Sequence, residues 1–325
     1  AQEDKRHFLY EEYLDIIREF KPSVFVMENV KGILSSTPSG TPIFEKILTD
    51  LKKPADKHLE YKVFSLSSAP QSYEGGNPVL DPRDFIIKSE NYGVPQARHR
   101  VILVGVRSDI EISTDDLILE AKPPLSLEKV LTGLPALRSG ISKNDSPERW
   151  KEIVEDSLSK NTANIQDLLP VPGPIELPLT RGEKFTPLTT YPLSLDLPIE
   201  LYEWLYDSNL RGVLDHQTRG HMESDIARYA FVSSFGRQVG RSPRLSDFPP
   251  YLLPDHKNVK SNKFVDRFKV QLRSKPATTI TSHISKDGHY FIHYDPNQCR
   301  SLTVREAARA QTFPDNYYFE GNRTQ

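Results

Sequence analysis

Between Leu9 and Val106 the apolar residues change period repeatedly, and this alternation limits the possible folds more than any other property of the chain. Leu9, Tyr13, Ile16, Ile17 and Phe20 recur at helical spacing and form one face of an amphipathic helix. The short run Val24–Met27 follows, of the kind a parallel strand shows when both its faces are covered. A polar loop over Ser35–Gly40 leads to Thr41-Pro42, with proline at the first helical position. Ile43, Phe44, Ile47, Leu48 and Leu51 then make a second amphipathic face. Tyr61–Leu66 and Val101–Val106 read as further strands. Helices alternating with strands predict an α/β domain, although these elements make only part of a sheet.

Past Ser108 the pattern changes. Ser146-Pro147-Glu148-Arg149 predicts the start of a polar, acidic helix through Ser159, with Ser146 as its cap. Many of the 26 prolines lie between Pro170 and Pro198, which predicts an extended stretch with little regular structure. A further helix is expected from Ser224 to Phe235. Pro276–His293 combines β-branched and aromatic residues around Lys286-Asp287-Gly288, which predicts a hairpin. Thr303-Val304-Arg305-Glu306 is a capping box, in which the threonine oxygen takes a backbone amide and the glutamate reaches back. The short helix it opens should run to Thr312 and stop before Pro314.

The chain has 325 residues, enough for two domains and a sizeable core. A hydrophobic share of 37% and a mean hydropathy of -0.52 describe a rather polar protein. No apolar run approaches the roughly 18 residues that a membrane span needs, and Ala1–Arg6 does not read as a signal peptide. No membrane partner is expected, and the single cysteine fits a reducing cytosol. The single cysteine, Cys299, excludes an internal disulfide framework and any zinc site built on several thiolates. His216, His221, His283, His289 and His293 match no standard zinc spacing, so no metal is expected. Trp150 and Trp204 read as core or cover residues.

The net charge of -2 does not advertise a nucleic acid partner, but the distribution is uneven. Lys257, Lys260, Lys263, Arg267, Lys269, Arg273 and Lys275 crowd one segment, opposed within it only by Asp266. Such a run is either a solvated face or a phosphate-binding stretch.

Three strings carry chemistry. Glu28, in Met27–Gly32 (MENVKG), follows a strand at the carboxyl edge where open α/β sheets place ligands, and a partly desolvated carboxyl group there can act as an acid. In Val94–Arg100 (VPQARHR), Arg98 and Arg100 alternate with His99, so in an extended segment both guanidinium groups point to one side. Two such groups form a fork for a carboxylate, a phosphate or a base oxygen. Gln96 precedes them, with Gly93 and Pro95 shaping the turn. The third string is Leu302–Asp315.

In this order and with this long gap, the strings resemble the DNA cytosine-5 methyltransferase family, and the match extends at intervals from Asp4 to Phe319. Asp4 to Leu9 is similar to the family's fifth motif, whose leucine touches the cofactor adenine, which marks Leu9 as cofactor-binding. Glu28-Asn29-Val30 resembles the sixth, whose glutamate binds N3 of the flipped cytosine. Gln96, Arg98 and Arg100 resemble the eighth, whose arginines steady that glutamate and contact the base and a phosphate. Thr303 through Asp315 resembles the structural ninth motif. Thr279-Ile280 is similar to a threonine–aliphatic pair that the family carries late in its target recognition region.

The resemblance implies an α/β fold: a partial S-adenosylmethionine-dependent methyltransferase (Rossmann-like) sheet with a mixed α+β target recognition domain. It implies a partial catalytic domain over residues 1–108, a recognition domain over 109–300 and a return segment over 301–325. The implied catalytic residues are Glu28, Arg98 and Arg100, with Glu28 donating to N3, Arg98 orienting Glu28 and Arg100 holding the base O2. The implied DNA-binding residues are Lys257, Lys260, Lys263, Arg267, Lys269, Thr279 and Ile280. Double-stranded DNA is the implied partner and S-adenosylmethionine the implied cofactor, in the setting of a restriction-modification system. The resemblance also implies a cytoplasmic place, in the prokaryotic cytosol or nucleoid.

The family's Pro-Cys nucleophile and glycine-rich cofactor loop would precede Asp4, and its tenth motif would follow Gln325. Cys299 is in no Pro-Cys loop and reads as a buried structural residue. The chain is therefore expected to be a fragment, unable to methylate DNA on its own and binding the cofactor weakly or not at all. A second chain or a missing segment would carry the nucleophile. A non-catalytic DNA-binding subunit of a split enzyme is the alternative. A tRNA methyltransferase of the same fold is a third, disfavoured by the long insertion between the eighth and ninth motifs.

Overall fold

The computed structural model describes residues 9–37, 40, 42–55, 59–164, 176–188, 196–254 and 267–321. These fall into two compact units. The first draws on Ala1–Tyr92 and Arg98–Pro123, the second on Gly93–Ala97 and Pro124–Gln325. Among the described residues no helix is long and apolar enough to cross a membrane.

The first unit is a sheet built around one long strand. Helix α1 (Leu9–Phe20) leads to strand β1 (Val24–Val30), helix α2 (Ile43–Lys52) leads to β2 (Tyr61–Phe64), and β3 (Ile86–Lys88) precedes the long strand. After β4 (Gln96–Ala97), which belongs to the second unit, the long strand β5 runs over His99–Arg107. β5 is antiparallel to all its neighbours, with β1 on one side and β2 and β3 on the other. Tyr10, Leu14 and Ile17 of α1 and Ile43, Phe44, Ile47 and Leu51 of α2 pack with Phe25, Met27, Tyr61, Val63, Val101 and Leu103 of the strands. The opposite face has a smaller cluster of Phe64, Val104 and Val106.

The expectation for Val24–Met27 is corrected here. The run alternates: Phe25 and Met27 are buried, while Val24 is 49% and Val26 58% exposed. The cause is its place in the sheet. β1 pairs only with β5, and its second face has no cover among the described residues. Gly105 of β5 faces Phe25 across the pair, and a Cβ on it would fall 2.1 Å from the ring, so the absence of a side chain there makes room for the aromatic core.

The second unit has two apolar cores. In one, Trp150, Val154 and Leu158 of helix α3 (Pro147–Asn164) pack against Ile226, Tyr229, Ala230 and Phe231 of helix α4 (Glu223–Val239), with Cys299 and Ile292 alongside. Ser146 Oγ accepts from Arg149 N at 3.1 Å, the expected cap. Trp150 is buried and donates to Ser139 Oγ (2.8 Å), whereas Trp204 is exposed and donates to Thr312 O (2.7 Å). In the other core, Ala277, Ile280, Phe291 and Leu302 gather around helix α5 (Val304–Ala310). Both halves of the Thr303–Glu306 capping box are formed.

The hairpin expected over Pro276–His293 does not form. The short strand β6 (Ala277–Thr278) instead runs parallel to β4, and Ser282–Ser285 is a turn of 3₁₀ helix. β-branched residues satisfied a strand pattern, but a distant segment provided the pairing partner.

Candidate active site

The sheet register brings Glu28 to Arg100. Glu28 lies opposite Ile102 and Arg100 opposite Val30, so the two side chains share a face and are diagonal neighbours across the antiparallel pair. Arg100 Nε is 2.6 Å from Glu28 Oε1, and Arg100 Nη1 donates to His99 O at 2.8 Å. The Glu28 side chain is 52% exposed and that of Arg100 20%, so the carboxylate is held on one side and open on the other. Asn29 Oδ1 accepts from the Val30 amide (2.8 Å).

Arg98 does not take the part expected for it. It lies one residue before β5, its backbone N–H donates to Ser89 Oγ (2.9 Å), and its guanidinium makes no ion pair among the described residues. Arg98 shares the parity of Arg100 but sits a full strand repeat further along. The register, which sets Arg100 and not Arg98 diagonally beside Glu28, therefore gives Glu28 to Arg100.

Gln96 is buried in the second unit. Its Oε1 accepts from Ile280 N (3.2 Å) and its Nε2 donates to Ala310 O (3.4 Å). The Thr279 hydroxyl donates to Ala97 O (2.7 Å), and Ile280 is buried in the core around α5. Gln96, Thr279 and Ile280 thus meet through the β4–β6 pairing, a hydrogen bond across 184 positions that the sequence alone does not reveal.

A family-wide sequence model for C-5 cytosine-specific DNA methylases matches residues 1–325. The chain belongs to this family. A type II methyltransferase, M.Bpa9945I of Bacillus paralicheniformis, is 34% identical over 325 residues, covering 99% of this chain and 59% of that protein. M.DdeI of Desulfomicrobium norvegicum, another type II methyltransferase, is 24% identical and covers 99% of this chain and 60% of its own. The chain thus spans less than two thirds of the length of these relatives. An Escherichia coli prophage protein described as a DNA modification methyltransferase has a similar fold, with a TM-score of 0.53, 20% identity, and coverage of 96% of this chain and 65% of its own.

Leu9 opens α1 and is 63% exposed. Lys257, Lys260 and Lys263 lie outside the described residues. Arg267 reaches Asp287 at 3.4 Å, and the Lys269 ammonium sits 5.1 Å from the centre of the Tyr290 ring. Cys299 is fully buried, its Sγ donating to Pro296 O, and burial followed by the charge of Asp295 pushes the thiol well above its ordinary range. A thiol held neutral in this way is no nucleophile.

Sequence reasoning missed a buried charged hub in the second unit. Arg300 makes a bidentate pair with Glu306 (2.6 and 2.7 Å), and both side chains are buried. His293 Nε2 lies 3.5 Å from Glu306 Oε1, and its Nδ1 accepts from Asp295 N. His216 Nε2 faces the Pro135 carbonyl (2.8 Å), which can only accept, so the proton is on Nε2 and Nδ1 accepts from the Thr303 hydroxyl (2.9 Å). Burial holds both histidines at about 4. Burial alone would raise the Glu306 carboxyl, but Arg300, by charge and hydrogen bonds, with His293 and His216 beside it, holds it far below the usual range. A signal was present: glutamate at the third helical position, with arginines before and after, in a segment otherwise rich in alanine.

Proposed function

We propose that this chain is the base-handling and DNA-recognising part of a DNA cytosine-5 methyltransferase of a restriction-modification system. The observation that supports this most directly is the half-exposed Glu28 carboxylate, inside β1 rather than after it as expected, gripped on one edge by Arg100 Nε at 2.6 Å. A cytosine flipped from the duplex would meet the free edge. As a thiolate from outside these 325 residues adds to C6, negative charge develops on the ring. Glu28 would take up a proton from solvent through its open edge as the base binds. It would pass that proton to N3 to neutralise the charge where it forms, and be left as the carboxylate paired with Arg100. Arg100 keeps the carboxyl oriented during this transfer, and Arg98, with no ion pair among the described residues, is available to the base or a nearby phosphate.

S-adenosylmethionine, when bound, supplies the methyl group as an electrophilic sulfonium carbon. Leu9, an uncovered apolar side chain, fits one wall of an adenine pocket. The sequence holds no G-x-G-x-x-G string, so this chain's own hold on the cofactor is weak. The partial catalytic domain would lie within residues 1–108, the recognition domain within 109–300, and the return segment within 301–325. Lys257, Lys260, Lys263, Arg267 and Lys269 would contact DNA phosphates, with Thr279 and Ile280 shaping the recognition region from within.

Glu28→Gln tests the acid role in the enzyme assembled with its thiolate-bearing part. Methyl transfer should fall by about a hundredfold or more, the scale of general acid catalysis, while DNA affinity stays within a factor of two or so. Unimpaired turnover would remove Glu28 from the mechanism.

A further inference from the structure

Arg100 keeps its place by way of the residue before it. Its Nη1 donates to the His99 carbonyl while its Nε meets Glu28, so the orientation of a single peptide group governs where the guanidinium can point. The backbone just before that peptide, at Arg98, is anchored from outside the strand, and so is the His99 side chain. Lys88 pairs with His99 across β3 and β5. Ser89 N donates to Arg98 O (3.3 Å), and Arg98 N donates back to Ser89 Oγ (2.9 Å). The side chain of His99 then reaches Glu90, with Nε2 2.7 Å from Oε1. A carboxylate only accepts, so Nε2 carries the proton and donates.

Glu90 is unusual for a residue on a short surface turn. Its side chain is 17% exposed, and its Oε2 is buried with no hydrogen-bond partner among the described residues. Enclosing a carboxylate this way is unfavourable unless a partner compensates it, and His99 is the group that does so here. Stability alone would be served as well by an apolar pair at these positions.

We propose that Glu90 and His99 are a positioning pair that orients the peptide entering β5 and so holds Arg100 against Glu28. The inference rests on reading Glu28 and Arg100 as the groups that handle the base. Glu90 and His99 touch no substrate themselves; they act through Arg100. The order of support runs from Glu90 to His99, to the His99 carbonyl, to Arg100 and then to Glu28.

The test uses the ¹⁵N-labelled 325-residue chain and the Nε–H resonance of Arg100, identified by its loss in Arg100→Lys. In the parent chain this proton should exchange with water more slowly than those of exposed arginines. Glu90→Ala and His99→Ala should each speed the exchange about fivefold, the factor expected when a partly exposed ion pair is lost. Glu90→Gln, whose amide oxygen still accepts from Nε2–H, should restore most of the protection, which a role in bulk stability alone would not produce. His99→Phe keeps the ring and removes the donor, and is measured in place of an alanine variant that fails to fold. Unchanged Arg100 exchange in folded Glu90→Ala or His99→Phe overturns the proposal, as does a Glu90→Gln chain that exchanges as fast as Glu90→Ala. Failure of the wider reading would show elsewhere, as unimpaired methyl transfer by Glu28→Gln.

Discussion

Lowering the pH from 7 to 5 should destabilise the second unit through His216 and His293. Both are buried beside Arg300 and Glu306, and burial depresses each from the ordinary 6.5 to about 4. In the unfolded chain each imidazole takes up a proton near its ordinary value, while in the folded unit it stays neutral until about pH 4. The unfolded state therefore binds more protons between these values. Stability is complete above about 6.5, falls as the pH drops through the window, and levels off below about 4 with respect to these groups.

The linkage slope is about 1.4 kcal/mol per pH unit per fully differential proton, so each histidine removes about 2 kcal/mol between pH 7 and 5. Two acting independently remove about 4 kcal/mol, a large share of a typical domain's 5–15 kcal/mol. His289, also depressed by burial, acts in the same direction. Glu306, whose folded carboxyl lies below its unfolded value, adds to the loss only once the pH falls below about 4.5. Both tryptophans, Trp150 and Trp204, lie in the second unit, so urea unfolding followed by tryptophan fluorescence reports on that unit. Replacing His216 and His293 together by glutamine should flatten the dependence between pH 7 and 5. A stability that is level across that range in the parent chain, or a slope the double replacement leaves intact, would refute the reasoning.

In the first unit, Gly105→Ala forces a methyl into the space of the Phe25 ring and should destabilise it by about 1–3 kcal/mol, the usual result of overpacking. Amide hydrogen exchange over β1 and β5 reads this, and unaltered protection would mean the ring moves aside freely. Replacing Lys260, Lys263 and Lys269 together by alanine should weaken DNA binding and make the log–log salt dependence shallower by up to about 2.7, roughly 0.9 for each phosphate no longer neutralised. Unchanged affinity and slope would remove the basic segment from the DNA-binding surface.

Local patterns carried much of the outcome in this protein. The apolar spacing of Leu9–Phe20 and Ile43–Leu51 was enough to set two helices. The face expected for the first is corrected, however: of its five residues Ile17 is buried while Leu9, Ile16 and Phe20 are exposed. Tyr10 and Leu14 face the core instead, because the sheet lies against that side. Ser146 and the Thr303–Glu306 box marked helix starts correctly, since capping joins residues three apart and depends on nothing distant. The strings around Glu28 and Arg100 were likewise legible, as were the family they belong to and the burial of Cys299. Pairing was not legible. That β1 and β2 flank β5 antiparallel, that β6 joins β4 rather than folding into a hairpin, and that Arg100 rather than Arg98 meets Glu28 all follow from hydrogen bonds between segments far apart in sequence. A shift of register by one residue turns every side chain to the other face, and no local propensity encodes that choice. The same holds for His216, His293, Arg300 and Glu306: each is an ordinary polar residue in isolation, and only the tertiary fold withdraws water from all four and makes them settle one another's charge.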